Sequence, residues 1–247
     1  MLKTRIIPVV LMKGRQAVKG KGFGWQRPVG QLAMTVRVYS ARQVDELALL
    51  DVSGNPPDLS VVASFADACF APLLVGGGVR DLATIQALLK HGADKIALNT
   101  AAVEDPGLIE AAAHKIGGQS VVVSMDVRGD TVHIRSGSED TGLDPVMFAR
   151  AVERLGAGEI LLNRVERDGT MEGYDLDLIA RVASAVEIPV TAVGGCSGYD
   201  DMVDAVHSGA HGVAAGALWS FTDATPAEAA AHLAANGIAT RQLCTLS

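Results

Sequence analysis

The 247 residues are 49% hydrophobic, which suits one large domain with a substantial core and is a common length for an α/β barrel. Lys+Arg 21 against Asp+Glu 28 leaves a formal net charge of -7, which argues against a nucleic-acid or membrane-surface protein, since either would carry a basic excess. No apolar run approaches the ~20 residues that cross a bilayer, and the three scattered cysteines, Cys69, Cys196 and Cys244, lack ligand spacing.

Along the chain, short apolar and β-branched runs alternate with longer amphipathic stretches. Met1-Leu2-Lys3-Thr4-Arg5 leads into the first strand without a signal-peptide pattern, so a cytoplasmic protein is expected. Strands are predicted at residues 5–11, 46–52, 71–75, 95–98, 120–126, 159–163, 190–193 and 212–215. After the first comes a glycine-rich segment, residues 20–30, long enough to be a lid over a site. Runs such as Val121-Val122-Val123 and Ile160-Leu161-Leu162 are apolar on both faces, the pattern of parallel strands covered by helices. Asp105-Pro106 and Asp144-Pro145 each read as a capping side chain followed by a proline at the first helical position. Thr225-Pro226-Ala227-Glu228 adds a capping box and opens the last helix.

The sequence also states one unit twice. Leu73-Leu74-Val75-Gly76-Gly77-Gly78 is echoed by Val190-Thr191-Ala192-Val193-Gly194-Gly195, and each copy is followed by a helix and a second apolar run. Eight strands, alternating helices and this duplication predict a single (β/α)8 barrel over residues 1–247, with an open doubly wound sheet as the structural alternative. Ligands of such barrels bind at the C-terminal ends of the strands. There, Gly77, Gly78, Asn99 and Thr100 form one expected phosphate cradle, and Asp168, Gly169, Thr170, Gly194, Gly195, Gly216 and Ala217 form a second. Glycines let backbone N–H groups approach an anion, although a lone pair of glycines more often serves a turn. Two matched sets suggest a ligand with a phosphate at each end.

These segments resemble the cyclase subunit family of imidazole glycerol phosphate synthase. The resemblance runs essentially end to end, through Arg5-Ile6-Ile7-Pro8, Val18-Lys19-Gly20, Val44-Asp45-Glu46-Leu47, Leu50-Asp51, Val75-Gly76-Gly77-Gly78, Gly92-Ala93-Asp94-Lys95, Asn99-Thr100-Ala101-Ala102, Val121-Val122-Val123-Ser124-Met125-Asp126, Thr141-Gly142, Gly156-Ala157-Gly158-Glu159 and Arg167-Asp168-Gly169-Thr170. It implies a two-fold symmetric barrel that takes ammonia from a glutaminase partner, in a heterodimer, and uses it to split and cyclise a sugar-linked bisphosphate on the way to histidine. No cofactor is implied. Asp126 matches one of the family's two catalytic aspartates. Lys19, Asp51 and Ser136 match positions that act on the substrate. Arg5, Glu46, Lys95 and Glu159 match a charged gate for ammonia at the opposite end of the barrel, where charged residues can equally serve stability. Asp94 becomes a candidate partner contact.

One position departs. The other catalytic aspartate would stand where Val10-Leu11-Met12-Lys13 places Leu11, which neither gives nor takes a proton, and the first acid after it is Asp45. This departure resembles a branch of the family found beside genes for surface polysaccharide, in which barrel and glutaminase supply ammonia to a sugar-amidating ligase, for example to form an acetamidino group. A histidine-pathway cyclase working through Asp126 alone is the alternative, and a structural role for Asp126 is open beside it. The sister sugar-phosphate isomerase shares the duplicated barrel but needs no ammonia gate. The six histidines lack metal spacing, so no metal site is expected. Cys196 and Trp219 read as packing, and Trp25 as a residue that could cover a ligand.

Overall fold

The structure, a computed structural model, describes residues 3–42 and 44–241; Cys244 lies outside them. Eight parallel strands close into a barrel: β1 (Arg5–Lys13), β2 (Leu47–Asp51), β3 (Leu73–Gly76), β4 (Lys95–Leu98), β5 (Val121–Arg128), β6 (Glu159–Arg164), β7 (Val190–Val193) and β8 (Gly212–Ala215). Each pairs with its neighbour in sequence order, and β8 returns to β1 through Arg5↔Gly212 and Ile7↔Ala214. That closure decides between the barrel and the open sheet.

The period-2 alternation of each strand explains its apolar character on both faces. One set of side chains (Ile7, Val9, Ala48, Leu74, Ala97, Val122, Leu161 and Ala214) fills the barrel interior, with Leu11, Leu50 and Val193 packed on it. The alternate set, such as Ile6, Leu47, Val75, Ile96 and Ile160, packs outward against the helices. Three alanines among the interior residues keep that core small in volume.

The helix starts follow local chemistry. Asp144 accepts from the Met147 N–H (2.8 Å) with Pro145 inside the first turn, and Thr225 with Glu228 forms the full capping box. The Asp105 expectation needs correction. The helix runs Gly107–Ile116, Pro106 holds the cap position, and no side chain caps it.

The predicted lid is also different from a long loop. Strand Gln16–Lys19 folds back on β1 (Leu11↔Val18) and pairs with strand Arg27–Gln31, so that only residues 20–26 form an irregular tip. The strand Arg27–Gln31 (Arg-Pro-Val-Gly-Gln) has too few apolar residues to announce itself, and its residues are all exposed. A second hairpin, Thr131–Ile134 on β5, was equally silent in the sequence.

Candidate functional site

At the C-terminal ends of the strands lies a cavity of about 360 Å³. Among the predicted residues, Asp51, Gly77, Gly78, Asn99, Thr100, Asp126, Ser136 and Asp168 all line it. Behind it, a smaller space of about 30 Å³ is lined by Lys19, Asp168, Gly169, Gly194, Gly195, Gly216 and Ala217. The residues expected in the two cradles therefore gather around two spaces that differ in room. Thr170 lines neither cavity; its hydroxyl donates to the Arg167 carbonyl (2.9 Å).

The duplication has a backbone signature. Gly77 (φ 108) and Gly194 (φ 89) both occupy left-handed backbone, and a Cβ on either would collide with the end of the preceding strand, at the Asp51 carbonyl in one half and at Asn163 in the other. Asn99 (φ -116, ψ -84) and Gly216 (φ -122, ψ -55) then each turn into a five-residue helix, Thr100–Glu104 and Ala217–Phe221. Asn99 and Thr100 line the larger cavity, and Gly216 and Ala217 the smaller.

Asp126 sits on β5 and is 6% exposed. The Asn99 amide donates to its Oδ2 (3.2 Å) and the Asn163 amide to its Oδ1 (3.4 Å). Burial pushes its carboxyl up to about 7, against the Asn163 hydrogen bond and helped by the negative charge of Asp168. Asn163 lies directly opposite Asp126 in the β5–β6 register, which explains why the two meet. His133 is the other register partner of Asp126 and is buried, with Nδ1 lacking a hydrogen-bond partner among the described residues.

Lys19 is buried, and its Nζ donates to the Val9 carbonyl (2.8 Å). Burial pulls the ammonium down to about 8, while Asp168 works in the opposite sense. Asp168 is pushed up to about 6 by burial, with Lys19 opposing. A Cβ on Gly216 would occupy the space of the Lys19 ammonium, so glycine there makes room for the cation beside the second cradle. Asp51 accepts from the Ser53 N–H (2.7 Å) at the end of β2.

Leu11 is half-buried and lines both cavities. Chain distance is a poor guide to its neighbours. Asp45 is at the other end of the barrel, where it accepts from the Ile6 N–H (3.0 Å), whereas Asp168 shares both of Leu11's cavities.

Several lining residues escaped the sequence reading. Arg80 stands two residues after the first glycine run and was within reach of that motif; Asn163 closes a predicted strand. Arg135 depends on the unforeseen hairpin, where it takes a left-handed φ of 54, pairs with Glu104 and donates its N–H to the Thr100 hydroxyl (3.1 Å). At the tip of residues 20–26, Phe23 faces the cavity while Trp25 is 82% exposed, so the aromatic cover is one residue-pair earlier than expected. Cys196 is buried, donates to the Gly198 carbonyl (3.4 Å), and burial pushes its thiol up to about 12, which leaves it inert.

At the opposite end, the four predicted gate residues form a closed ring. Arg5 pairs with Glu46 (2.7 Å) and Glu159 (2.7 Å), and Lys95 pairs with the same two carboxylates (2.8 Å each). Both glutamates are buried, and both cations are partly open to solvent. Burial raises Glu159, but the hydrogen bonds and charges of Arg5 and Lys95 outweigh it and hold the carboxyl below the usual range. Thr191 adds a hydrogen bond to Glu159 (2.7 Å), whereas Glu46 Oε1 has no hydrogen-bond partner among the described residues. Asp94 is exposed at the same end and accepts from the Leu73 N–H (2.8 Å).

Two comparisons with known proteins bear on this arrangement. Residues 5–224 match the family model described as "Histidine biosynthesis protein". The imidazole glycerol phosphate synthase subunit HisF of Hyphomonas neptunium (strain ATCC 15444) is 46% identical over 250 residues, covering 98% of this chain and 99% of that protein.

Proposed function

The chain belongs to the histidine biosynthesis protein family, and from that premise we propose that it is the ammonia-using synthase subunit of a glutamine amidotransferase pair. A glutaminase docks at the base of the barrel, around Asp94 and the charged ring, as the second member of a cytoplasmic heterodimer. Ammonia enters past Arg5, Glu46, Lys95 and Glu159. A phosphorylated ligand sits at the mouth, on Gly77, Gly78, Asn99 and Thr100 at one end and on Gly169, Gly194, Gly195, Gly216 and Ala217 at the other. Lys19, Asp51 and Ser136 hold it between them. The observation that carries this reading is the polarity of the barrel, with a ring of alternating charges at one pole and a glycine-lined cavity with Asp126 at the other. The interior between them is apolar, which favours neutral NH3 over ammonium because an ion is costly to desolvate.

Leu11 weakens the cyclase half of this function. With one acid missing, the barrel chiefly delivers ammonia, and its physiological acceptor is the substrate of a sugar-amidating ligase. Mixing the chain with a glutaminase subunit of the family tests the pairing. A one-to-one complex is expected at about micromolar concentration, weakened at least about tenfold by Asp94→Arg. No complex, or one indifferent to Asp94, would contradict it.

A further inference from the structure

One face of β6 runs from the base of the barrel to its mouth in three residues. Glu159 belongs to the charged ring, Leu161 to the apolar interior and Asn163 to the larger cavity, each two positions after the last and so on the same side of the strand. Asn163 is 7% exposed. Its Nδ2 donates to Asp126 Oδ1 (3.4 Å), which turns the amide oxygen away from that carboxyl. On the other side the register partner is Val193, whose side chain has no donor to offer. A Cβ on Gly194 would sit on the Asn163 oxygen, so only a glycine there leaves room beside it.

Among the described residues, two buried side-chain oxygens lack a hydrogen-bond partner: Glu46 Oε1 in the base ring and Asn163 Oδ1 at the mouth. A buried acceptor without a donor is costly. These two stand at opposite ends of the apolar interior, where a small molecule with N–H groups would satisfy each in turn.

We propose that Asn163 is the ammonia-holding residue of the mouth: its Oδ1 accepts an N–H of neutral NH3 as the molecule leaves the interior past Leu161. The proposal rests on the ammonia-using reading above and adds a residue to it. An amide oxygen only accepts, so it grips ammonia through a hydrogen and leaves the nitrogen lone pair free. A cationic donor such as the Lys19 ammonium would occupy the lone pair instead. A protonated carboxyl would hand over its proton and leave the unreactive ammonium ion. The Asn163 amide does neither, because its oxygen carries no proton and its Nδ2 is engaged by Asp126. Asn163 is thus a positioning residue for the nucleophile, distinct from any group that moves protons.

The test is steady-state turnover of the sugar-linked bisphosphate of the histidine pathway by the full-length chain, with ammonium as nitrogen donor, in the wild type and in Leu11→Asp as parents. Asn163→Val and Asn163→Thr share one shape and differ by a methyl against a hydroxyl that can accept. Asn163→Val is expected to raise KM for ammonium at least ~10-fold, the scale of one hydrogen bond to a buried acceptor, with the bisphosphate Kd within about twofold of the parent. Asn163→Thr should bring KM for ammonium back to within about threefold of the parent. If Asn163→Val does not fold, Asn163→Ala against Asn163→Ser makes the same comparison. A merely structural Asn163 would move kcat and bisphosphate Kd in both variants and leave KM for ammonium where it was. That pattern, or an equal KM for ammonium in the Val and Thr variants, overturns the proposal and leaves the ammonia-using reading standing. Parents that do not bind the bisphosphate, or bind it and do not turn it over, overturn the proposal together with the reading of the mouth on which it rests.

Discussion

Asp126 shows how burial turns a carboxyl into a group that titrates near neutrality. In the unfolded chain it would ionise near the ordinary value of 3.8, whereas in the folded protein it does so at about 7. Between those values the folded state holds the proton more tightly, so stability falls as pH rises through this window, and the loss is complete above about pH 7. Asp126→Asn removes that loss while keeping a side chain of nearly the same shape. The variant should match the wild type in thermal stability below about pH 4 and exceed it at about pH 8, by up to about 4 kcal/mol. Melting curves at the two pH values check this; a difference independent of pH would show that Asp126 is not held in its raised state. At the same scale, which residues would line the mouth was largely legible in the sequence, because glycines after strands and acids at strand ends carry positional meaning. What could not be read was adjacency: Asp168 beside Leu11, or Asn163 beside Asp126, depends on barrel register and not on chain distance.

The first hairpin is the element that closes the site. Gly169 (φ 70) lies under it, and a Cβ there would collide with the Gly20 carbonyl, so the loop after β6 and the hairpin tip can touch only through a glycine. Gly169→Ala combines that collision with a strained left-handed backbone and should cost about 1–2 kcal/mol. The strain is relieved by lifting the tip away from the mouth. Trypsin cleavage after Lys21 should accelerate several-fold in the variant, with the rest of the barrel equally resistant; unchanged cleavage would mean that the tip is held elsewhere. Helices capped by Asp144 and Thr225 were legible because one side chain satisfies a specific orphan N–H. The two hairpins were not, because short exposed strands owe their pairing to a neighbouring strand and not to their own apolar pattern.

At the scale of the molecule, the barrel separates two kinds of charge. In the ring at its base each cation touches both carboxylates. Lys95→Met would leave two buried glutamates to share Arg5 and should destabilise the fold by about 3 kcal/mol at neutral pH. Glu159 is held below its usual range, so this stabilisation is present above about pH 4.5 and fades as pH falls further. The penalty of Lys95→Met should therefore shrink in acid, which denaturant titrations at about pH 7 and about pH 4 would show; an equal penalty at both would detach the ring from stability. The closed barrel itself was legible from duplication and strand number, since a two-fold repeat of half-barrels closes on itself.

The central claim is that the inlet and the phosphate-holding mouth are intact while the proton-handling machinery of β1 is lost at Leu11. It is tested most directly by comparing turnover of the sugar-linked bisphosphate, with ammonium as nitrogen donor, in the wild-type chain and in Leu11→Asp. The account predicts weak turnover in the wild type and a gain of at least ~100-fold in Leu11→Asp, the scale of one restored acid–base group, with little change in KM. Wild-type turnover at the level of family members that carry both aspartates, with no gain in Leu11→Asp, would contradict it.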